Sequence, residues 1–109
     1  MKLKGWYALH DGWKSKLIVH TRAHEEAKVK ITFYKGESEE EVHKVYIRLP
    51  PKDFKFVNLS KYRKIKNLFG IIIVESELPL MAEMYLEDKE VKLLDYGLRS
   101  IDEEECESC

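Results

Sequence analysis

The sequence contains no glutamine, two asparagines and two cysteines, and both cysteines lie within its last four residues. Few amides together with many lysines and glutamates are typical of proteins from hyperthermophiles, so the composition indicates a thermophilic source. No apolar run approaches the roughly 20 residues of a membrane-spanning helix. The first residues lack the apolar stretch of a signal peptide. We therefore expect a cytoplasmic protein without membrane insertion.

Recognisable catalytic motifs are also missing. The sequence has no glycine-rich phosphate loop and no G-x-S-x-G, and none of its serines has the neighbours of a catalytic triad. Of the histidines, His20 and His24 have the i, i+4 spacing of a helical zinc motif, but they fall at a predicted strand end. We therefore expect a non-enzymatic protein with no catalytic residue, metal site or cofactor. An enzyme or metalloprotein could use only these two histidines or the cysteine pair.

The end of the chain, residues 102–109, differs from the rest. It holds five acidic residues and no basic one, and it ends with the C-x-x-C motif of Cys106 and Cys109. A closed zinc site needs two further ligands, and a redox pair normally lies at a helix N-terminus. We interpret this segment as an acidic tail on a domain of residues 1–101. A disulfide, within or between chains, and a metal site stay open as alternatives.

Alternation of apolar and polar residues is the strongest pattern in the sequence. Two segments, "AKVKITFYK" and "VHKVYIRLP", have an apolar residue at every second position. This period predicts two half-buried antiparallel strands, which the turn at Gly36 joins into a long hairpin. The residues expected on the core side are Ala27, Val29, Ile31 and Phe33 in the first strand and Val45, Ile47 and Leu49 in the second.

The stretch "GIIIVESELPLMAEM" brings Glu75 and Glu77 close together, either as a catalytic carboxylate pair or as the polar residues of a turn. Proline cannot lie inside a central strand, so Pro79 favours the turn. We therefore expect a hairpin turn over residues 75–78 between two core strands. "GIIIVES" is apolar on both sides, as in a central strand. The core residues expected here are Ile71, Ile73, Leu80, Ala82 and Met84.

Four other runs, "LKGWYAL", "KLIVHTR", "DFKFVNL" and "EDKEVKLLDYGL", also indicate strands. No segment has the period of an amphipathic helix. Closely spaced strands without helices are typical of sandwiches and barrels. The sequence therefore predicts an all-β fold, an antiparallel β-sandwich of about seven or eight strands.

Basic residues concentrate in "KYRKIK". Lysine and arginine side chains can bind phosphates, and a tyrosine can stack on a base. The segment therefore indicates a second function, nucleic-acid association, with an ordinary solvated loop as the alternative. The residues of this candidate site are Lys61, Tyr62, Arg63, Lys64 and Lys66.

Three stretches together resemble the sensory rhodopsin transducer family over roughly residues 5–87. "AHEEAKVKITFYKGESEEEVHKVYIRLPPKDFKFVNL" runs from an acidic loop through two alternating strands and a proline to a basic, aromatic strand. "FGIIIVESELPLMAEM" adds two apolar strands around an E-S-acid-x-P turn. "WYALHDGW" places an aromatic strand before an acidic-glycine turn.

The resemblance implies a soluble, cytoplasmic β-sandwich that assembles as a homotetramer and serves in signalling. It implies a membrane photoreceptor as partner where a sensory rhodopsin is present, and carbohydrate, other ligand or DNA association elsewhere. No particular ligand carries over, because Glu83, Met84 and Tyr85 stand where the family pattern has polar and basic residues. We therefore expect a non-enzymatic binding or signalling module that forms a homo-oligomer.

A ligand pocket, if there is one, is expected at an aromatic, histidine-bearing end of the sandwich. Aromatic faces suit sugar rings, and imidazole can hydrogen-bond to hydroxyl groups. The residues of this candidate binding site are Trp6, His10, Trp13 and His20. In the alternative interpretation, Trp6 belongs to the core and Trp13 anchors an interface between subunits.

Overall fold

The computed structural model describes residues 1–88 and 93–101 of the chain. Within these ranges, nine strands form two antiparallel sheets that share one core, so the predicted all-β sandwich is confirmed. The strands are β1 (Lys2–Ala8), β2 (Lys14–His20), β3 (Ala27–Tyr34), β4 (Glu41–Leu49), β5 (Phe54–Asn58), β6 (Phe69–Glu75), β7 (Met81–Glu87), β8 (Leu93–Gly97) and β9 (Arg99–Ser100). No helix in the described ranges is long and apolar enough to cross a membrane.

The strand order is β4-β3-β6-β1-β9 in the five-stranded sheet and β5-β2-β7-β8 in the four-stranded sheet. The predicted hairpin of β3 and β4 is confirmed, with Ala27 opposite Leu49 and a bulge after Phe33. The apolar strand β6 has the predicted central position, because β3 and β1 pair with its two edges.

Two connections cross between the sheets and interlock them. β1 pairs with β6 in one sheet, and the strands that follow them, β2 and β7, pair in the other. Because β3 and β1 already occupy both edges of β6, the chain after Glu75 cannot form a hairpin with β6, and β7 pairs with β2 in the opposite sheet. The predicted hairpin turn over residues 75–78 is therefore wrong, and this segment is a crossover between sheets.

Most of the predicted core is confirmed. The residues that are buried as expected are Ala27, Val29, Ile31, Phe33, Leu49, Leu80, Ala82 and Met84. Val45 and Ile47 pack against this cluster but are only half-buried, because β4 is the edge strand of its sheet.

The prediction for β6 chose the wrong face. Ile72 and Val74 are fully buried, whereas Ile71 and Ile73 lie on the outer face of the five-stranded sheet and are half-buried. The register explains this, because Val74 lies opposite Leu3 and Ile31, which both point into the core. Residues paired across antiparallel strands share a face.

The chain after β3 lies unusually close to β6. A Cβ on Gly70 would lie 2.6 Å from the backbone nitrogen of Gly36, and it would also overlap the carbonyl oxygen of Tyr34. Gly36 donates its N–H to the carbonyl of Phe69 (2.8 Å) and accepts from the N–H of Ile71 (3.2 Å). Only a glycine at position 70 permits this approach.

A buried tyrosine reinforces the same contact. Tyr7 in β1 is fully buried, and its hydroxyl donates to the carbonyl oxygen of Tyr34 (2.8 Å). Burial raises the pKa of Tyr7 to about 12, so the hydroxyl keeps its proton and remains a donor throughout the neutral range.

Candidate functional site

The outer face of the five-stranded sheet collects basic side chains from four strands, and we call it the basic face. In β1, β3, β4 and β9 these residues are outward neighbours of core residues, so strand alternation places their side chains on the solvent side. The cations of the basic face are Lys2, Lys4, Lys28, Lys30, Lys44, Arg48 and Arg99.

Two acids lie among these cations in the described part of the face. Lys30 Nζ lies 3.2 Å from Glu75 Oε1, and this hydrogen bond, together with the charge of Glu75, raises the pKa of Lys30. Lys44 Nζ lies 3.4 Å from Glu41 Oε2. The face therefore keeps a clear excess of positive charge, although the whole chain has a net charge of −1.

The strand register arranges the face in rows. One row contains Lys44, Thr32, Ile73, Lys4 and Arg99, from β4 across to β9. Three of its five members are cations, and they come from three different strands. We call these three residues, Lys4, Lys44 and Arg99, the cationic row.

An aromatic end adjoins the cationic row. Trp6 lies opposite Ile71 in the next row of the sheet, and Phe69 follows on β6, opposite Ala8. Trp6 is 40% exposed and Phe69 is 48% exposed. The imidazole of His10 packs on Phe69, with ring centroids 5.0 Å apart. We call Trp6, Phe69 and His10 the aromatic end of the basic face.

A further aromatic ring lies on the other side of the cationic row. Tyr46 in β4 is opposite Lys30 and is 71% exposed. It is therefore the most exposed of the large hydrophobic side chains in the described residues. The basic face thus combines cations with exposed rings on both sides of them.

Acidic residues border the opposite end of this face. A surface depression there is lined by Lys28 and Lys30 together with Glu25, Glu26 and Glu77. Glu75 lies in the same depression in its ion pair with Lys30, and Glu77 lies in the crossover. The carboxylates of "VESEL" thus lie beside lysines at the sheet end.

The four residues of the predicted aromatic pocket are not brought together. Trp6 and His10 both flank Phe69, whereas Trp13 is half-buried just before β2. His20 ends β2 on the outer face of the other sheet, opposite Phe54 and Met81. Seven residues of strand separate it from Trp13, which corresponds to roughly 20 Å.

The predicted basic loop lies at the margin of the core. Two single-turn 3₁₀ helices, Leu59–Lys61 and Arg63–Ile65, connect β5 to β6, and their buried residues are Leu59 and Ile65. The four cations, Lys61, Arg63, Lys64 and Lys66, are exposed. They therefore form a separate basic surface, which is a matched comparison for the basic face.

Tyr62, the aromatic residue of this loop, packs inward. Its ring centroid lies 5.3 Å from that of His43 and 6.0 Å from that of Phe33, and burial raises its pKa. Burial, and to a lesser extent the charge of Lys64, lower the pKa of His43. The ring of Tyr62 thus helps to close the core beside β4 and is only half-exposed for stacking on a ligand.

The outer face of the four-stranded sheet is more apolar. Phe54 and Phe56 on the edge strand β5 are 55% and 61% exposed and form a T-shaped pair with centroids 5.5 Å apart. Ile18 lies opposite Phe56, and Met81 is also exposed. We call this surface the phenylalanine face.

Metal-binding groups are not apparent in the described residues, where no three histidine, cysteine, aspartate or glutamate side chains cluster suitably. The two histidines with i, i+4 spacing, His20 and His24, lie at the end of β2 and in the following loop. Cys106 and Cys109 lie outside the described residues, so the predicted roles of the C-x-x-C motif stay predictions.

The fold is shared with solved structures. No protein-family model and no curated protein sequence matches this chain. The crystal structure of Thermotoga maritima 1070 superposes with a TM-score of 0.75 at 18% identity and covers 88% of this chain and 91% of its own. The Anabaena sensory rhodopsin transducer superposes with a TM-score of 0.54, also at 18% identity, and covers 75% of this chain and 88% of its own. The resemblance found in the sequence is thus confirmed at the level of the fold.

Proposed function

We propose that this chain is a non-enzymatic binding module and that its basic face holds an anionic ligand or partner. The observation that carries the proposal is the concentration of seven cations and two acids on one sheet face of a chain whose net charge is −1. Charge concentrated on one surface attracts ligands of the opposite sign and accelerates their association. The absence of catalytic motifs from the sequence supports the non-enzymatic part of the proposal.

The fold shared with a sensory rhodopsin transducer supports a role in signalling. In that role, binding of the anionic ligand or partner at the basic face is the signalling event. A membrane photoreceptor and a carbohydrate ligand are the narrower options that the resemblance suggests. A cluster of cations is not needed to bind a neutral sugar, so the basic face gives the carbohydrate option no support.

Removal of the cationic row tests the proposal. We expect wild type to bind inorganic polyphosphate with an affinity that falls steeply as salt concentration rises. In Lys4/Lys44/Arg99→Ala, the slope of log affinity against log salt should decrease by about 2, because three cation contacts are lost. Fluorescence anisotropy of labelled polyphosphate at several salt concentrations measures both slopes.

The basic loop provides the control for that experiment. Lys61/Arg63/Lys64→Ala removes the same charge from another surface, and we expect it to change the slope far less. If instead the salt dependence of binding decreased in the loop variant and was unchanged in the row variant, the site would be the loop at residues 61–66. If wild type did not bind polyphosphate at all, the proposal of an anion-binding face would be contradicted.

We also propose that the chain forms a homo-oligomer through the phenylalanine face, with a tetramer expected from the family resemblance. The supporting observation is the exposed pair Phe54 and Phe56 on edge strand β5, next to Ile18 and Met81. Contiguous exposed apolar surface usually marks an interface. The same sheet face also carries charges of opposite sign, including Lys14 opposite Glu87, which suit a self-complementary contact.

Light scattering tests the assembly. We expect wild type to be oligomeric at micromolar concentration and Phe54/Phe56→Ser to be smaller, because the exposed rings would no longer be buried between subunits. Tyr46→Ser, which removes an even more exposed ring from the other sheet, should leave the mass unchanged. A monomeric wild type would contradict this part of the proposal.

A further inference from the structure

We infer that the ligand of the basic face is single-stranded nucleic acid, an inference that rests on the proposed function and names its ligand class. Many polyanions would be attracted by the cations alone. The exposed rings beside the cations add a second requirement, because they offer stacking surfaces that polyphosphate or an acidic peptide would leave unused. Phosphates that alternate with flat bases satisfy both requirements.

The spacing of these groups suits an extended strand. From Tyr46 on β4 to Trp6 on β1, the path crosses three strand intervals and two residue rows. Strand geometry makes this distance roughly 20 Å. The cationic row lies between the two rings. An extended strand can therefore stack bases on Tyr46 and on the aromatic end while its phosphates contact Lys4 and Lys44.

Charge repulsion keeps the bound strand on the part of the face between Tyr46 and the aromatic end. Glu25, Glu26 and Glu77 lie at the end where Lys28 and Lys30 are found. These carboxylates repel phosphates, and Glu75 already forms an ion pair with Lys30. The strand therefore runs from Tyr46 across the cationic row to Trp6 and does not extend over the depression that these carboxylates line.

The shape of the surface favours a single strand over a duplex or a membrane. Bases in a duplex are stacked on each other, so their faces are not available to Tyr46 or Trp6. The rings of Tyr46, Trp6 and Phe69 stand on strands and not on a projecting loop tip. They can support a flat base but do not form a wedge that inserts into lipid. Stacking discriminates little between bases, so we expect weak sequence preference.

Binding of a labelled oligothymidylate of about 10 nucleotides, a length within the range that single-strand-binding modules cover, tests the inference. We expect wild type to prefer it to polyphosphate of equal charge and to duplex DNA. Tyr46→Leu and Trp6→Leu should each lower the affinity for the oligonucleotide about 5-fold to 100-fold. Neither should change the affinity for polyphosphate.

The outcomes separate this inference from the proposed function. If polyphosphate and oligonucleotide bind equally well and the leucine variants bind like wild type, the stacking idea is overturned and the anion-binding face stands. Tighter binding of the duplex, or binding of phosphatidylserine vesicles without binding of the oligonucleotide, also overturns it. If wild type binds neither polyphosphate nor the oligonucleotide, both proposals fall. Circular dichroism of Tyr46→Leu, whose ring is largely exposed, should match wild type, so loss of folding cannot explain its result.

Discussion

Gly70→Ala is expected to lower the free energy of unfolding by about 3–5 kcal/mol, because its methyl group would need space that two backbones already fill. The new Cβ would lie 2.6 Å from Gly36 N and would overlap the carbonyl oxygen of Tyr34. To relieve the overlap, residues 34–36 must move away from β6. That movement breaks hydrogen bonds between Gly36 and its two partners in β6. Urea unfolding at a fixed protein concentration measures the loss.

Gly97→Ala is the matched control for this prediction. A Cβ at Gly97 would lie 3.9 Å from its nearest neighbour, the carbonyl oxygen of Ala82, which is an ordinary van der Waals distance. The same chemical change should therefore alter the stability by less than about 1 kcal/mol. Equal effects of the two substitutions would show that the close approach at Gly70 is not a packing constraint.

Ile72→Ala should lower the free energy of unfolding by about 2–5 kcal/mol, as expected for a fully buried isoleucine that leaves a cavity. Ile72 is fully buried between the sheets, and Phe33 lies opposite it on β3. The surrounding strands are paired on both sides and cannot collapse into the space. Urea unfolding of the variant and of wild type gives the difference.

The neighbouring residue provides the comparison. Ile71→Ala removes the same atoms from the outer face, where the side chain is only half-buried, so the expected loss is about 1 kcal/mol. A larger loss for Ile71 than for Ile72 would mean that β6 presents the opposite face to the core. This pair of variants therefore measures the register of the central strand directly.

The predictions for Gly70 and Ile72 both concern β6, the part of the fold where sequence reasoning was least effective. Alternation located β3 and β4 and their inward residues, because each contains polar residues that mark the solvent side. In β6 the run Ile71–Val74 is apolar at every position. Such a run contains no information about which side faces the core, and that choice was made by pairing with Leu3 and Ile31. The same lack of a local signal hid the crossover after Glu75.

The candidate surface was missed for a different reason. The basic loop was found because its cations are consecutive in the sequence. Those of the basic face are distributed over four strands and alternate with core residues, so no short window shows a cluster. A signal was present, because Lys28 and Lys30 occupy the solvent side of a predicted strand. To see that the solvent-facing residues of several strands form one surface, the strand order must be known, and alternation does not provide it.

The interlocked pairing of β1 with β6 and of β2 with β7 also has a kinetic consequence. Each partner of β1, from Phe69 opposite Ala8 to Glu75 opposite Lys2, lies more than sixty positions away along the chain. Forming such distant pairs requires loop closure before the contacts stabilise the chain, which slows folding to the millisecond-to-second range. During synthesis, β1 and β2 leave the ribosome long before their partners exist, whereas the β3–β4 hairpin can form at once. That hairpin is therefore expected to be the first structure in the nascent chain, and the sandwich closes around it last.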